Sequence, residues 1–260
     1  MNERTRSPIK DKPLRLPGRG LQEERQQLWD DKLEPALLLA LVFFLMALLE
    51  WWRAWREMPP SPWIFTVVAI AFAGFAAYRF HKYRPRMRTL RQGMDGELAV
   101  GQYLERMREQ GYQVFHDVVA DNFNIDHVLI GPAGVFTIET KTWSKPVKGD
   151  ARVVYDGEQV LVNGREPERD VRVQALSQGR WLSRLLEEST GRRLAVQPVV
   201  VFPGWFVEAA PGTQRDVWFM EPKGLPAFLA RQRSQPAPED MKLAAFHLSR
   251  YVRVRARQDS

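Results

Sequence analysis

The chain has 260 residues, a formal net charge of +7 and no cysteine. That length allows one substantial domain with extra segments, and the missing cysteine excludes disulfides and thiolate metal centres. The basic excess suits a polyanionic partner, either nucleic acid or anionic lipid, while the scattered His81, His116, His127 and His247 lack the spacing of a zinc site.

Residues 1–32 are polar, mixed in charge and interrupted by Pro8, Pro13 and Pro17, the composition of a disordered or loosely helical leader. No apolar core follows early enough for a cleavable signal peptide. Residues 33–52 (LEPALLLALVFFLMALLEWW) and 63–78 (WIFTVVAIAFAGFAAY) differ in kind. The uncharged runs within them, residues 35–49 and 63–78, fall slightly short of the roughly 20 residues that cross a bilayer core, and flanking tryptophan and tyrosine extend both at headgroup depth. Joined through Pro59, Pro60 and Pro62, they predict a two-helix transmembrane hairpin over residues 33–80. Eight Lys or Arg precede the first run, six lie in residues 79–91, and only Arg53 and Arg56 fall between the runs. The positive-inside rule therefore puts both ends in the cytoplasm. The basic stretch at 79–91 suits either anionic headgroups or nucleic acid, and lipid is the better match.

A second domain is expected over residues 90–232. Residues 93–107 read as a helix whose inward stripe is Gly93, Gly96, Glu97, Val100, Leu104 and Met107. Glu97 thus lies on an apolar stripe, where an unpaired carboxylate is costly; it has either a structural partner or a functional one. Residues 112–118 predict a first strand. Residues 124–141 (NIDHVLIGPAGVFTIETK) predict a hairpin turning at Gly131-Pro132-Ala133-Gly134. Alternation puts Val135, Thr137, Glu139 and Lys141 on one face of its second strand and Phe136, Ile138 and Thr140 on the other. A loop of four or of two residues pairs Ile130 with Val135 and sets Asp126 opposite Glu139. Directly opposed like charges are destabilising unless neutralised, and a divalent cation between two carboxylates is the economical solution.

Strands over 151–155 and 159–162 flank Asp156-Gly157 and extend the same sheet in this reading. Asp170 caps a helix to about residue 188, with Val171, Gln174, Ala175, Gln178, Trp181, Leu182 and Leu185 on one face. Gln174 is then either a satisfied core glutamine or a site residue. Residues 194–202 form a buried strand that Pro198 demotes toward an edge. Residues 204–213 read as loop, 216–220 as a short strand and 222–230 as a short helix. Residues 233–260 bring a Pro-rich linker, an amphipathic helix through Met241, Ala244, Ala245, Leu248 and Val252, and a basic tail.

Asp126 followed by Glu139-Thr140-Lys141 resembles the D…(D/E)xK signature of the restriction-endonuclease-like fold. The fuller order resembles the nuclease-related domain (NERD) family: Gly93-Met94-Asp95-Gly96-Glu97, then Ile125-Asp126-His127, then residues 134–141, then Gln174. The resemblance implies an α/β fold with a restriction-endonuclease-like mixed sheet flanked by helices, here preceded by two transmembrane helices. It implies Mg²⁺, with Mn²⁺ as a substitute, on Asp126, Glu139, the Thr140 carbonyl and Glu97. Lys141 and Gln174 complete the implied catalytic set, with Gln174 positioning water or phosphate. The expected protein is a membrane-anchored, Mg²⁺-dependent nuclease acting on nucleic acid, DNA before RNA, at the cytoplasmic face of the cell membrane. The alternative is a non-catalytic module that binds nucleic acid or protein at the bilayer.

Overall fold

A computed structural model describes residues 17–57, 62–145, 151–232 and 236–258. The first half of the predicted leader, the Pro59-Pro60 connection, residues 146–150, part of the Pro-rich linker and the last two residues lie outside the described residues. The chain divides into two compact units, residues 20–92 and residues 93–258 with the short segment before residue 20.

In the first unit, α1 (Arg19–Leu28) passes through a π-helical turn (Trp29–Leu33) into α2 (Glu34–Trp55), and α3 (Pro62–Glu105) begins after the connection. The part of the predicted leader that is described is therefore helical. Two helical stretches, Arg19–Trp55 and Trp63–Gln110, are long and apolar enough to cross a membrane. Leu38, Leu41, Phe44, Leu45 and Leu49 on α2, with Ile64, Val67 and Ile70 on α3, stay exposed, whereas the residues buried in this unit include the small Ala36, Ala47, Ala69 and Ala76. Small residues let helices approach closely. Phe43 stacks on Phe72 at 4.4 Å, and the Trp51 indole N–H donates to Thr66 Oγ1 at 3.1 Å. Glu50, buried within α2, accepts from Arg53 at 2.9 Å.

The sequence reading separates the second apolar run from a helix over 93–107, but α3 is one helix through both, with Pro85 inside it. Proline removes a single helical hydrogen bond there. Residues 79–92 otherwise hold good helix formers such as Arg, Lys, Met and Leu, and no glycine interrupts them.

In the second unit, α3 ends through a 3₁₀ turn (Arg106–Gln110) at Gly111, whose φ of 85° is the left-handed geometry of a helix stop. A five-stranded sheet follows in the order β1-β2-β3-β6-β8: β1 (Gln113–Val119), β2 (Asn124–Gly131) and β3 (Gly134–Thr140) are antiparallel, while β6 (Val196–Val201) and β8 (Trp218–Met220) add in parallel. The hairpin register is the predicted one, with Ile130 opposite Val135. Helices cover both faces. The end of α3 and α5 (Leu225–Ala230) bury Val100, Leu104, Met107, Leu225 and Leu229 against Leu129, Phe136 and Ile138. On the other face α4 (Val171–Thr190) and α6 (Pro238–Gln258) bury Leu182, Leu186, Ala245 and Leu248 with Val128, Ile130 and Val135. The fold is thus the expected mixed α/β one, and α6 is part of its core. Asp170 caps α4 as predicted, accepting from the N–H groups of Arg172 at 2.9 Å and Val173 at 3.1 Å.

Three further expectations fail. The strands β4 (Arg152–Tyr155) and β5 (Val160–Val162) do not extend the main sheet; they form a second one, β5-β4-β7, with β7 (Phe206–Ala209). Residues 204–213, read as loop, contain β7, whose half-exposed FVEA pattern carries little apolar signal. Nor is β6 an edge strand. Val201 directs its carbonyl to Lys141, beyond the end of β3, and Phe202 its N–H to Met220 in β8. By alternation the nitrogen of Pro198 faces the β8 side, and pairing with β8 begins only at Val199. The missing donor therefore costs no ladder bond.

Candidate active site

The site forms where the β2–β3 ladder stops. Pairing runs from Gly131–Gly134 to His127–Ile138, so one further step sets Asp126 beside Glu139. There the Thr140 N–H donates at 2.7 Å to the Asp126 carboxylate. A side chain occupies the place of a strand neighbour, and two carboxylates are left side by side at a strand end.

Glu139, buried on the face covered by α4, is held by three donors. Its Oε1 accepts from Lys141 Nζ at 2.6 Å and from Gln174 Nε2 at 2.7 Å, and its Oε2 accepts from Gln178 Nε2 at 2.5 Å. Lys141 also donates to Gln174 Oε1 at 2.9 Å, closing a Glu–Lys–Gln ring. The 174/178 spacing is one helical turn, so both amides reach the same carboxylate. Gln178 is 1% exposed; its Nε2 also reaches the Asn124 carbonyl at 3.2 Å, and its Oε1 has no hydrogen-bond partner among the described residues.

Glu97 reaches this neighbourhood from α3, where Gly96 allows close packing: a Cβ at Gly96 would lie 2.3 Å from Thr142 Oγ1. Burial, then the charges of Asp117 and Glu139, raise the Glu97 pKa to about 7, although a Gly18 N–H and Lys141 oppose the shift. Asp126 is raised well above the ordinary carboxylate range by burial, then by Glu139 and Glu97. Asp117 lies on β1 between the pairs His116–His127 and Val118–Ile125, level with Asp126, and has a left-handed φ of 48°. Asn124 Nδ2 donates to its Oδ1 at 2.9 Å.

Beneath the strands His116 and His127 meet through their Nδ1 atoms at 2.9 Å. His116 Nε2 faces Glu105 Oε1 at 2.9 Å, and His127 Nε2 lies 3.4 Å from Thr140 Oγ1. Burial lowers the pKa of His116, partly offset by Glu105, and lowers that of the fully enclosed His127 further, so His127 is a neutral hydrogen-bonding strut. A groove of about 490 Å³ opens beside Lys141, lined by Trp143, Arg165 and Arg169 among others. Trp143 itself packs on Phe202 and Trp205, which makes it a core-capping residue.

The structure brings together all the predicted residues: Asp126, Glu139, Thr140, Lys141, Glu97 and Gln174. Sequence reasoning missed Gln178, Asp117 and the histidine pair. Gln178 shares the stripe of Gln174 one turn on, and Asp117 is a charge inside the apolar run VFHDVV; both signals were present.

Four carboxylates (Glu97, Asp117, Asp126 and Glu139) share this neighbourhood, and Lys141 pairs with Glu139. Their oxygen-only donor set, the raised pKa values and the orphaned Gln178 oxygen fit a hydrated hard cation. Among the described residues no group of three or more His, Cys, Asp or Glu side chains is placed to hold a metal ion. Mg²⁺ does not require one, because it is commonly held through one or two carboxylates and keeps several waters.

A carboxylate cluster thus sits at the open end of a mixed sheet, with a lysine two residues beyond the buried glutamate. Residues 92–203 match the model of the nuclease-related domain family, NERD. The matched span contains Glu97, Asp117, Asp126, Glu139, Thr140, Lys141, Gln174 and Gln178. No curated protein and no solved structure matches the chain.

Proposed function

We propose that the protein is a membrane-anchored, metal-dependent nuclease that hydrolyses phosphodiester bonds of nucleic acid, DNA before RNA, at the cytoplasmic face of the cell membrane. The observation that carries this reading is the shared grip of Lys141, Gln174 and Gln178 on Glu139 beside Asp126. It fixes a carboxylate and an amine together at the mouth of a groove. Mg²⁺ or Mn²⁺ held by Asp126, Glu139 and the Thr140 carbonyl, with Glu97 adding its charge nearby, would supply Lewis acidity toward the phosphate and a more acidic water. Lys141, anchored by Gln174, offers its ammonium to charge developing on the phosphoryl oxygens. Arg165 and Arg169 line the groove where a phosphate backbone would approach, alongside Glu166 and Glu168. Membrane anchoring is supported by the exposed apolar surface of α2 and early α3, and the cytoplasmic placement by the flanking basic residues.

One observation favours a second reading, a non-catalytic module that binds nucleic acid or protein: both Glu139 oxygens already have protein donors, so a cation must compete for them. The test uses the full chain in nanodiscs with duplex DNA, single-stranded DNA and RNA, under Mg²⁺, Mn²⁺ or EDTA, beside Asp126→Ala and Lys141→Ala. Cleavage that needs metal and disappears in both variants is the expected result. Nucleic-acid binding without cleavage by any folded preparation would refute the nuclease and leave the binding module.

A further inference from the structure

The nuclease reading leaves unused a cavity of about 530 Å³ that lies wholly within residues 20–92. Four arginines line it, Arg25 from α1 and Arg84, Arg88 and Arg91 from α3. The 84/88/91 spacing keeps the last three on one helical face. None of the four has a hydrogen-bond or carboxylate partner among the described residues. The neighbouring Arg86, by contrast, does not line the cavity and is neutralised by Glu24 at 2.5 Å. The cavity thus concentrates unneutralised guanidinium groups, the side chain best shaped to grip phosphate oxygens in pairs.

Apart from Gln26, its remaining wall is apolar. Trp29, Leu33 and Phe80 line it, at the points where the two apolar runs begin and end. Arg79 donates to the Lys32 carbonyl at 2.9 Å and ties the start of the first apolar run to the end of the second. Along α3, Arg84 lies roughly 6 Å and Arg91 roughly 16 Å beyond Phe80, so the guanidinium groups start at headgroup depth and continue outward.

We propose that this cavity binds the headgroup of an anionic phospholipid, its phosphate among Arg25, Arg84 and Arg88 and its glycerol and first methylenes against Trp29, Leu33 and Phe80. The inference rests on the membrane-anchored reading. A nucleic-acid backbone would meet the same arginines, but it has no use for an aromatic and aliphatic wall continuous with two apolar helices. A basic pocket beside membrane helices on the cytoplasmic side is a physical match for an acidic lipid.

The experiment is native mass spectrometry of the full chain, extracted in mild detergent and offered equal amounts of phosphatidylglycerol and phosphatidylcholine. Fractionation of the expressing cells comes first. A chain found outside the membrane fraction defeats the anchoring reading itself, whereas a membrane-bound chain without lipid preference defeats only the pocket. The expected result is preferential retention of phosphatidylglycerol, weakened roughly fivefold by either Arg84→Ala or Arg88→Ala. Lys82→Ala, which removes the same charge from the same helix outside the cavity, leaves the preference intact. Arg88→Lys loses part of it, because the charge stays while the fork goes.

Equal retention of the two lipids would overturn the proposal, as would a Lys82→Ala effect as large as that of Arg88→Ala, which is the signature of diffuse surface charge. Two competitors test the other anion sources. Displacement of the lipid by millimolar inorganic phosphate would mark a free-anion site, and displacement by an oligonucleotide would mark a nucleic-acid surface; either outcome sinks the lipid assignment.

Discussion

Replacing Glu97 by glutamine should stabilise the metal-free protein at alkaline pH and do little at acid pH. The Glu97 carboxyl titrates near 7 in the folded chain against a reference value of 4.5. Because the folded-state pKa is the higher one, the favourable contribution is full below pH 4.5 and is lost as pH rises through about 7. By pH 8 the wild-type protein carries a half-buried, ionised Glu97 against Asp117 and Glu139, at a cost on the order of 3 kcal/mol. Between pH 5 and pH 8 the gap between variant and wild type should widen by roughly 2 kcal/mol, or about 5 °C in melting temperature for a domain of this size. Glutamine keeps an oxygen for the Gly18 N–H, so the comparison isolates the charge. The assay is tryptophan-monitored melting of the full chain in detergent with EDTA, at both pH values. Equal melting shifts at pH 5 and pH 8 would refute the reasoning, since the effect would then lie in packing. Millimolar Mg²⁺ at pH 8 should raise the wild-type melting temperature more than that of Glu97→Gln, because the cation replaces the missing neutralisation.

Gln178→Leu should cost about 1–3 kcal/mol in stability, because the buried Glu139 Oε2 loses its donor. It should also reduce any metal-dependent cleavage, and a leucine variant with wild-type melting and activity would remove Gln178 from the site. Gly96→Ala should destabilise the domain by about 1–3 kcal/mol through the clash with Thr142. Limited proteolysis after residue 141 would report it, and unchanged protection there would show that α3 can move away freely.

The hairpin and its register were legible because period-two alternation and a Gly-Pro-Ala-Gly turn leave little freedom: Ile130 had to meet Val135, and Asp126 and Glu139 followed. The Asp170 cap and the apolar stripes of α4 and α6 were readable for similar reasons. What escaped depends on contacts distant in sequence. Nothing local tells β4 and β5 to leave the main sheet, because that choice is made by β7 some fifty residues later. Pro198 misled the reading because its harm depends on which neighbour its nitrogen faces, a property of strand order alone. Gln178 was seen as one position on a helix face; only the path of α4 over β3 brings it to Glu139.

The left-handed backbone at Asp117 imposes two separate demands on one position. Few side chains other than asparagine and aspartate enter that conformation readily, since their short polar groups bond locally. Aspartate also brings negative charge to Glu97. Asparagine meets the first demand and not the second, so Asp117→Asn separates the shape of the strand from the field it creates. Alanine would confound them.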